Sequence, residues 1–195
     1  MIKVGPTMAR KKEDRLHSRV LNIVLLTILI LVFMFSSTAF AEHEYVGASS
    51  CKICHRLAKY GDQYSIWENS AHARAYETLS TDKAKENGRK HGVDDPRKSI
   101  KCLKCHATAA DAPPEAKEDS YKIEEGVTCE ACHGPGSDYK SMSIMKDREK
   151  ALANGLIIGD KETCLKCHIP EGNDFYIEFD YERAWSSIAH PKPAK

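Results

Sequence analysis

The chain has 195 residues, 42% of them hydrophobic, and a formal net charge of +1. That balance gives no basis for nucleic-acid binding or for a polybasic membrane surface. Basic residues crowd the N-terminus, so the remainder is mildly acidic and of single-domain size.

The N-terminal segment reads as a targeting sequence. Arg10-Lys11-Lys12, Arg15 and Arg19 precede an apolar run over residues 20–35, followed by Ser36-Ser37-Thr38 and Ala39-Phe40-Ala41. Ala39 and Ala41 are the small residues a signal peptidase accepts, so cleavage is expected between Ala41 and Glu42. Residues 1–41 are then a signal peptide and residues 42–195 the mature domain. The alternative is an uncleaved anchor helix, although the run is shorter than the roughly 20 residues that span a bilayer. Either reading puts the functional part outside the cytoplasm, in the periplasm or beyond, and only the anchor would tie it to a membrane.

After the first Cys-x-x-Cys-His motif, Trp67, Ala71, Ala75 and Leu79 recur at helical spacing and predict a helix over 64–79. A second helix is expected over 82–91, ended by Gly92, with a turn at 93–96. Residues 108–120, with Pro113-Pro114 and many charges, read as a surface loop, and Tyr121-Lys122-Ile123 as a short strand. Gly134-Pro135-Gly136 forces a tight turn before a charged helix over 138–153, closed by Asn154-Gly155. The C-terminal part has an alternating patch over 175–179 and a Pro- and Lys-rich tail. The expected fold is mostly α with long loops.

All eight cysteines fall into four motifs: Cys51 and Cys54 before His55, Cys102 and Cys105 before His106, Cys129 and Cys132 before His133, Cys164 and Cys167 before His168. This pattern reads as c-type haem attachment. Two thiols three residues apart on one helical turn reach the two vinyl groups of a porphyrin, and the next residue supplies the proximal imidazole. Four disulfides would not place a histidine after every pair. Two zinc sites with four thiolates each would leave all four histidines idle, and thioredoxin-like chemistry uses one Cys-x-x-Cys, not four. The chain is therefore expected to carry four covalently attached haems, around which short helices wrap. Their flat apolar surfaces also explain how a chain poor in large apolar residues makes a core.

The chain resembles the tetrahaem cytochrome c-554 family. The carriers are Ser50 to His55, Ile66-Trp67-Glu68-Asn69-Ser70-Ala71-His72-Ala73-Arg74-Ala75-Tyr76-Glu77, and Cys102 to His106. They continue with Gly126-Val127-Thr128-Cys129-Glu130-Ala131-Cys132-His133-Gly134-Pro135-Gly136, and end with Cys164 to His168. The resemblance implies a largely helical protein with haems in closely stacked pairs, shuttling electrons in the periplasm.

Outside the motifs, residues 42–195 hold four more histidines, His43, His72, His91 and His190. His72 sits among the small residues Ser70, Ala71 and Ala73, and the resemblance makes it the distal ligand of the fourth haem. In the same way His190 is implied as distal ligand of the third. His91 ends a charged helix and reads equally as a ligand or a solvated residue, whereas His43 is expected to be free. Where the family carries a distal histidine for the first haem, this sequence has Met142 and Met145. Thioether ligation there would raise that haem's potential; core filling is the equal alternative. The second haem is five-coordinate in the family and stays so here unless His91 reaches it.

The leading functional expectation is an electron carrier between protein donors and acceptors. A small redox enzyme acting on nitric oxide or a similar ligand at a five-coordinate haem is one alternative. A subunit of a conductive filament, lending His190 or His43 to a neighbouring copy, is another.

Overall fold

The computed structural model describes residues 17–19, 21–28 and 43–190. The chain divides into two units, Met1–Phe40 and Ala41–Lys195. In the first, residues 17–19 and 21–28 are helical; no described helix is long and apolar enough to cross a membrane. The expected cleavage point lies outside the described residues.

The second unit is mostly helical, with no β-strand among the described residues beyond one isolated bridge between Tyr45 and Lys117. Its helices are short: α1 Ala48–His55, α2 Gln63–Glu68, α3 Ala75–Thr78, α4 Asp82–Lys90 and α5 Ile100–His106. Then come α6 Glu130–His133, α7 Met142–Met145, α8 Arg148–Ala153, α9 Lys161–Cys164 and α10 Tyr181–Ile188. Helices this short are unstable alone, so local caps and long-range hydrogen bonds hold them.

Several ends are capped by side chains. Thr81 accepts from the Ala84 amide at the start of α4, and Asp147 does the same for α8 through Lys150. Asp160 and Thr163 form a reciprocal capping box on α9, and Asp180 caps α10 through Arg183. Each cap satisfies an amide with no intrahelical partner.

The helix expected over 64–79 is broken. It runs as α2, a 3-10 turn at His72–Arg74, and α3. Asn69 donates from its side chain to the Ser65 carbonyl, and the backbone amide of Val127 donates to the His72 carbonyl (3.0 Å), pinning the turn from outside the helix. Trp67 Nε1 donates to the Val127 carbonyl at 2.7 Å. Residues 121–123 form no strand: Tyr121 donates its hydroxyl to the Thr108 carbonyl, and a 3-10 turn follows at Ile123–Glu125. The helix expected over 138–153 is two helices, because Asp147 starts a second one. The 108–120 loop contains one 3-10 turn, Pro114–Ala116. The alternating patch at 175–179 is irregular, and α10 follows it.

Side chains alone make a thin core. The buried hydrophobics are Val46, Ala48, Tyr64, Leu79, Val93, Leu103, Ala107, Ala116, Tyr139 and Ala151. Four of the ten are alanines, so little apolar area leaves water through them. Polar clamps do part of the work. The buried Glu130 carboxylate accepts from the amides of Val46, Gly47 and Gly136, each at 2.8 Å. Glu125 accepts from the amides of Ala48 (2.7 Å) and Ser49 (3.1 Å) at the N-terminus of α1. Both carboxylates tie the segment that begins α1 to the segment around α6.

A candidate multihaem centre

Each Cys-x-x-Cys-His motif lies on or at the end of a helical turn: α1, α5, α6, and α9 with the turn after it. All eight thiols are free of disulfides and half-buried. Three of the four motif histidines have Nδ1 held by an acceptor. His55 meets Gln63 Oε1 at 3.1 Å, His106 donates to the Ala75 carbonyl at 2.8 Å, and His133 to the Ile157 carbonyl at 2.9 Å. Fixing Nδ1 orients the ring and leaves Nε2 for a metal.

Two further histidines stand opposite motif histidines, one pair edge-on and the other tilted. The His72 ring centre lies 6.1 Å from that of His168, and the His190 ring centre 5.9 Å from that of His133. Two imidazoles bound through nitrogen to one metal, at ordinary bond lengths of about 2 Å, stand with ring centres about 6 Å apart. The donor set and spacing therefore fit an iron between each pair. Burial holds the imidazolium forms of His72, His168 and His190 below the usual histidine range; for His72 the neighbouring His168 adds to this, and for His190 the neighbouring His133 and His55 do. Neutral rings are what metal ligation requires.

His72 is placed by the Gly126-Val127 segment. Gly126 has φ +73°, and a Cβ there would stand 2.8 Å from the His72 carbonyl oxygen. Only glycine allows that approach. The His72–Arg74 turn with α3 thus serves two motifs, presenting His72 to His168 and the Ala75 carbonyl to His106. Gly134 plays a similar part after the third motif: its φ is +75°, a Cβ would meet the Gly155 carbonyl at 2.9 Å, and the backbones of His133 and Ile157 are paired beside it.

The other candidates stand differently. His91 Nε2 meets Asp174 Oδ2 at 2.9 Å, so this nitrogen is engaged by a carboxylate. His43 Nδ1 meets Asp138 at 2.9 Å, and its ring packs where a Gly155 side chain would be. Met142 is 51% exposed on α7, and Met145 is half-buried at its end. Among the described residues no histidine ring is stacked on or set edge-on to His55 or His106. Phe179, the last residue of the alternating patch, stacks on His168 with ring centres 4.6 Å apart. Its only sequence signal was an aromatic near the fourth motif.

The motifs adjoin in a fixed order. The neighbouring Cys129 thiol, with burial adding to it, pushes the Cys51 thiol up. Helix α9 packs on α6, and Cys132, raised mainly by burial, also feels Cys164. Cys167 Sγ lies 3.8 Å from the Lys104 carbonyl; burial first, then Cys105, pushes its thiol up to about 12. The row therefore runs first, third, fourth, second.

Comparison with known proteins finds similar chains. Residues 50–134 match the family described as cytochrome c554 and c-prime, a span holding the first three motifs and His72 but not the fourth motif, Met142, Met145 or His190. Cytochrome c-554 of Nitrosomonas europaea is 29% identical over 147 residues, which is 71% of this chain and 56% of that protein. The chain thus matches just over half the length of that relative. The solved structure of the reduced state of cytochrome c554 from the same organism is similar over 75% of this chain and 79% of that one, at 23% identity and a TM-score of 0.48.

Proposed function

We propose that this chain is an exported tetrahaem c-type cytochrome and an electron carrier outside the cytoplasm, a reading supported by its similarity to cytochrome c-554. The observation that carries the reading is the pairing of His72 with His168 and His190 with His133 at ring separations that fit bis-histidine iron. Bound haem supplies a reversible one-electron couple. The chain's own residues attach it through the eight cysteines and orient the proximal rings through Gln63, Ala75 and Ile157.

In this reading His72 serves the fourth haem and His190 the third. Because the motifs adjoin in one row, the two bis-histidine sites are interior and the first and second motifs stand at the ends. Met142 or Met145 is the candidate ligand for the first. Axial ligation tunes potential, so a thioether at one end would set that haem above its neighbours. The histidines lent to a neighbour in a filament would be His190 or His43, and both are engaged within this chain.

The test is a holoprotein produced with haem attachment. Four haems per polypeptide by mass, and full reduction by dithionite followed by reoxidation by ferricyanide, are expected. A haem count below four, or a haem that does not cycle, would overturn the reading. A second reading, binding of nitric oxide at the second haem, is favoured by the engagement of His91 by Asp174. It expects a ferrous nitrosyl EPR signal that disappears in the C102A/C105A variant.

A further inference from the structure

Helix α1 has two faces. Cys51, Cys54 and His55 point one way, half-buried. At about 100° per residue, Lys52, Ile53 and Arg56 point the other, and all are exposed. Ile53 is 79% exposed, and Leu57, one turn on, is 43% exposed. Because this face is turned away from the cysteines and the proximal ring, a haem on the first motif would not cover it.

Cations surround these two apolar residues. Lys52 and Arg56 stand over the Tyr64 ring at 5.3 and 5.1 Å, and Lys59 over Tyr60 at 4.8 Å. Arg56 pairs with Glu68, and Asp62 accepts from the Ser65 hydroxyl. Lys52 and Lys59 have no carboxylate partner among the described residues. The tyrosine faces hold both ammonium groups in place without neutralising them. Elsewhere the balance is opposite: residues 42–195 hold 23 Lys and Arg against 26 Asp and Glu. An exposed apolar centre with unpaired cations, at an end of the motif row, is a local exception on an acidic domain.

We infer that this face of α1 docks an acidic one-electron redox protein, and that electrons enter or leave the row at the first motif. The inference rests on the electron-carrier reading and adds to it where the partner binds. A negatively charged surface complements Lys52 and Lys59, while Ile53 and Leu57 provide the apolar contact that orders the encounter. Ile53 precedes Cys54, so a partner seated there is one residue from a covalent haem attachment. With haem attached at Cys51 and Cys54, one electron would pass between partner and haem, the donor losing one electron and the ferric haem gaining it, or the reverse.

The experiment is stopped-flow reduction of the holoprotein by an acidic flavodoxin hydroquinone at several ionic strengths, with haem content checked in every variant. The wild-type rate is expected to fall about tenfold from low to high salt, as for opposite charges. K52E/K59E is expected to be about tenfold slower at low salt and to lose most of the salt dependence. K59E, outside the motif, serves if the double variant does not mature. K85E/K90E, the same charge change on α4, should leave the rate unchanged. An unchanged rate in K52E/K59E, or an equal loss in K85E/K90E, overturns the proposal. So does binding to phosphatidylglycerol vesicles that depends on Lys52 and Lys59 while the flavodoxin rate does not. Dithionite reduction and ferricyanide reoxidation of the same samples report the carrier reading separately.

Discussion

At the scale of single residues, two kinds of position matter: rings that hold iron in the proposed reading, and carboxylates that hold the chain around them. Replacing His72 with Ala removes the ring opposite His168, and one haem is expected to pass from low to high spin in the EPR spectrum; an unchanged spectrum would remove His72 from the ligand set. The same rings set a pH dependence. Burial depresses the folded-state pKa of His72 and His190, so in the folded chain they stay neutral below the ordinary value near 6.5. The unfolded chain takes up protons first as the pH falls, so these groups' contribution to stability is fully present above about 6.5 and is lost progressively below it. Acid titration should therefore show the low-spin bands persisting below about pH 6.5 while the unfolding midpoint already declines; loss of both together above that pH would contradict the placement. Glu130 acts differently. Burial raises its pKa against the pull of three backbone amides, and Glu130→Gln would oppose an amide NH2 to those donors. A loss of about 2–4 kcal/mol in denaturant unfolding is expected. The attachment residues were legible from spacing alone, because the chemistry fixes two thiols and an imidazole within five positions. The acceptors that orient the proximal rings at Ala75 and Ile157 were not, because a backbone carbonyl leaves no mark on residue identity.

At the scale of elements, the decisive feature is the break between α2 and α3. Periodicity over 64–79 is helical, and both ends are. The interruption comes from residues 126 and 127, some fifty positions away in the chain, which occupy the His72–Arg74 backbone. No local pattern could announce it, although Gly126 and His72 lie in the two stretches that carry the family resemblance. Gly126→Ala is expected to cost about 2–3 kcal/mol, from a strained positive φ and a clash with the His72 carbonyl. It should also turn the fourth haem partly high spin. Destabilisation with an unchanged spin state would mean that the segment supports the fold without placing His72. Other differences were readable in principle. Asp147 inside the expected 138–153 helix and Asp180 before Tyr181 are ordinary N-cap residues, and they explain the split into α7 and α8 and the unforeseen α10. The strand expected at residues 121–123 failed for want of a partner.

At the scale of the whole molecule, the motifs hold one another. Helix α6 is the junction: Glu130 within it clamps Val46 and Gly47 before α1, Cys129 neighbours Cys51, and α9 packs on it. Helix α5 carries the second motif at an end of the row, where it contributes Leu103 to a small cluster with Leu79 and Ala107. With so few large side chains buried, haems bound as proposed would add apolar area to the core. Losing a haem should then cost stability according to where it sits. Removing the third attachment with C129A/C132A exposes surface on both sides of the junction, whereas C102A/C105A empties one end and leaves the rest of the row in contact. Thermal unfolding of the two variants, each lacking one haem, is expected to show the larger fall in Tm for C129A/C132A. Equal falls would mean that each haem stabilises only its own motif, and that the row has no structural junction at α6.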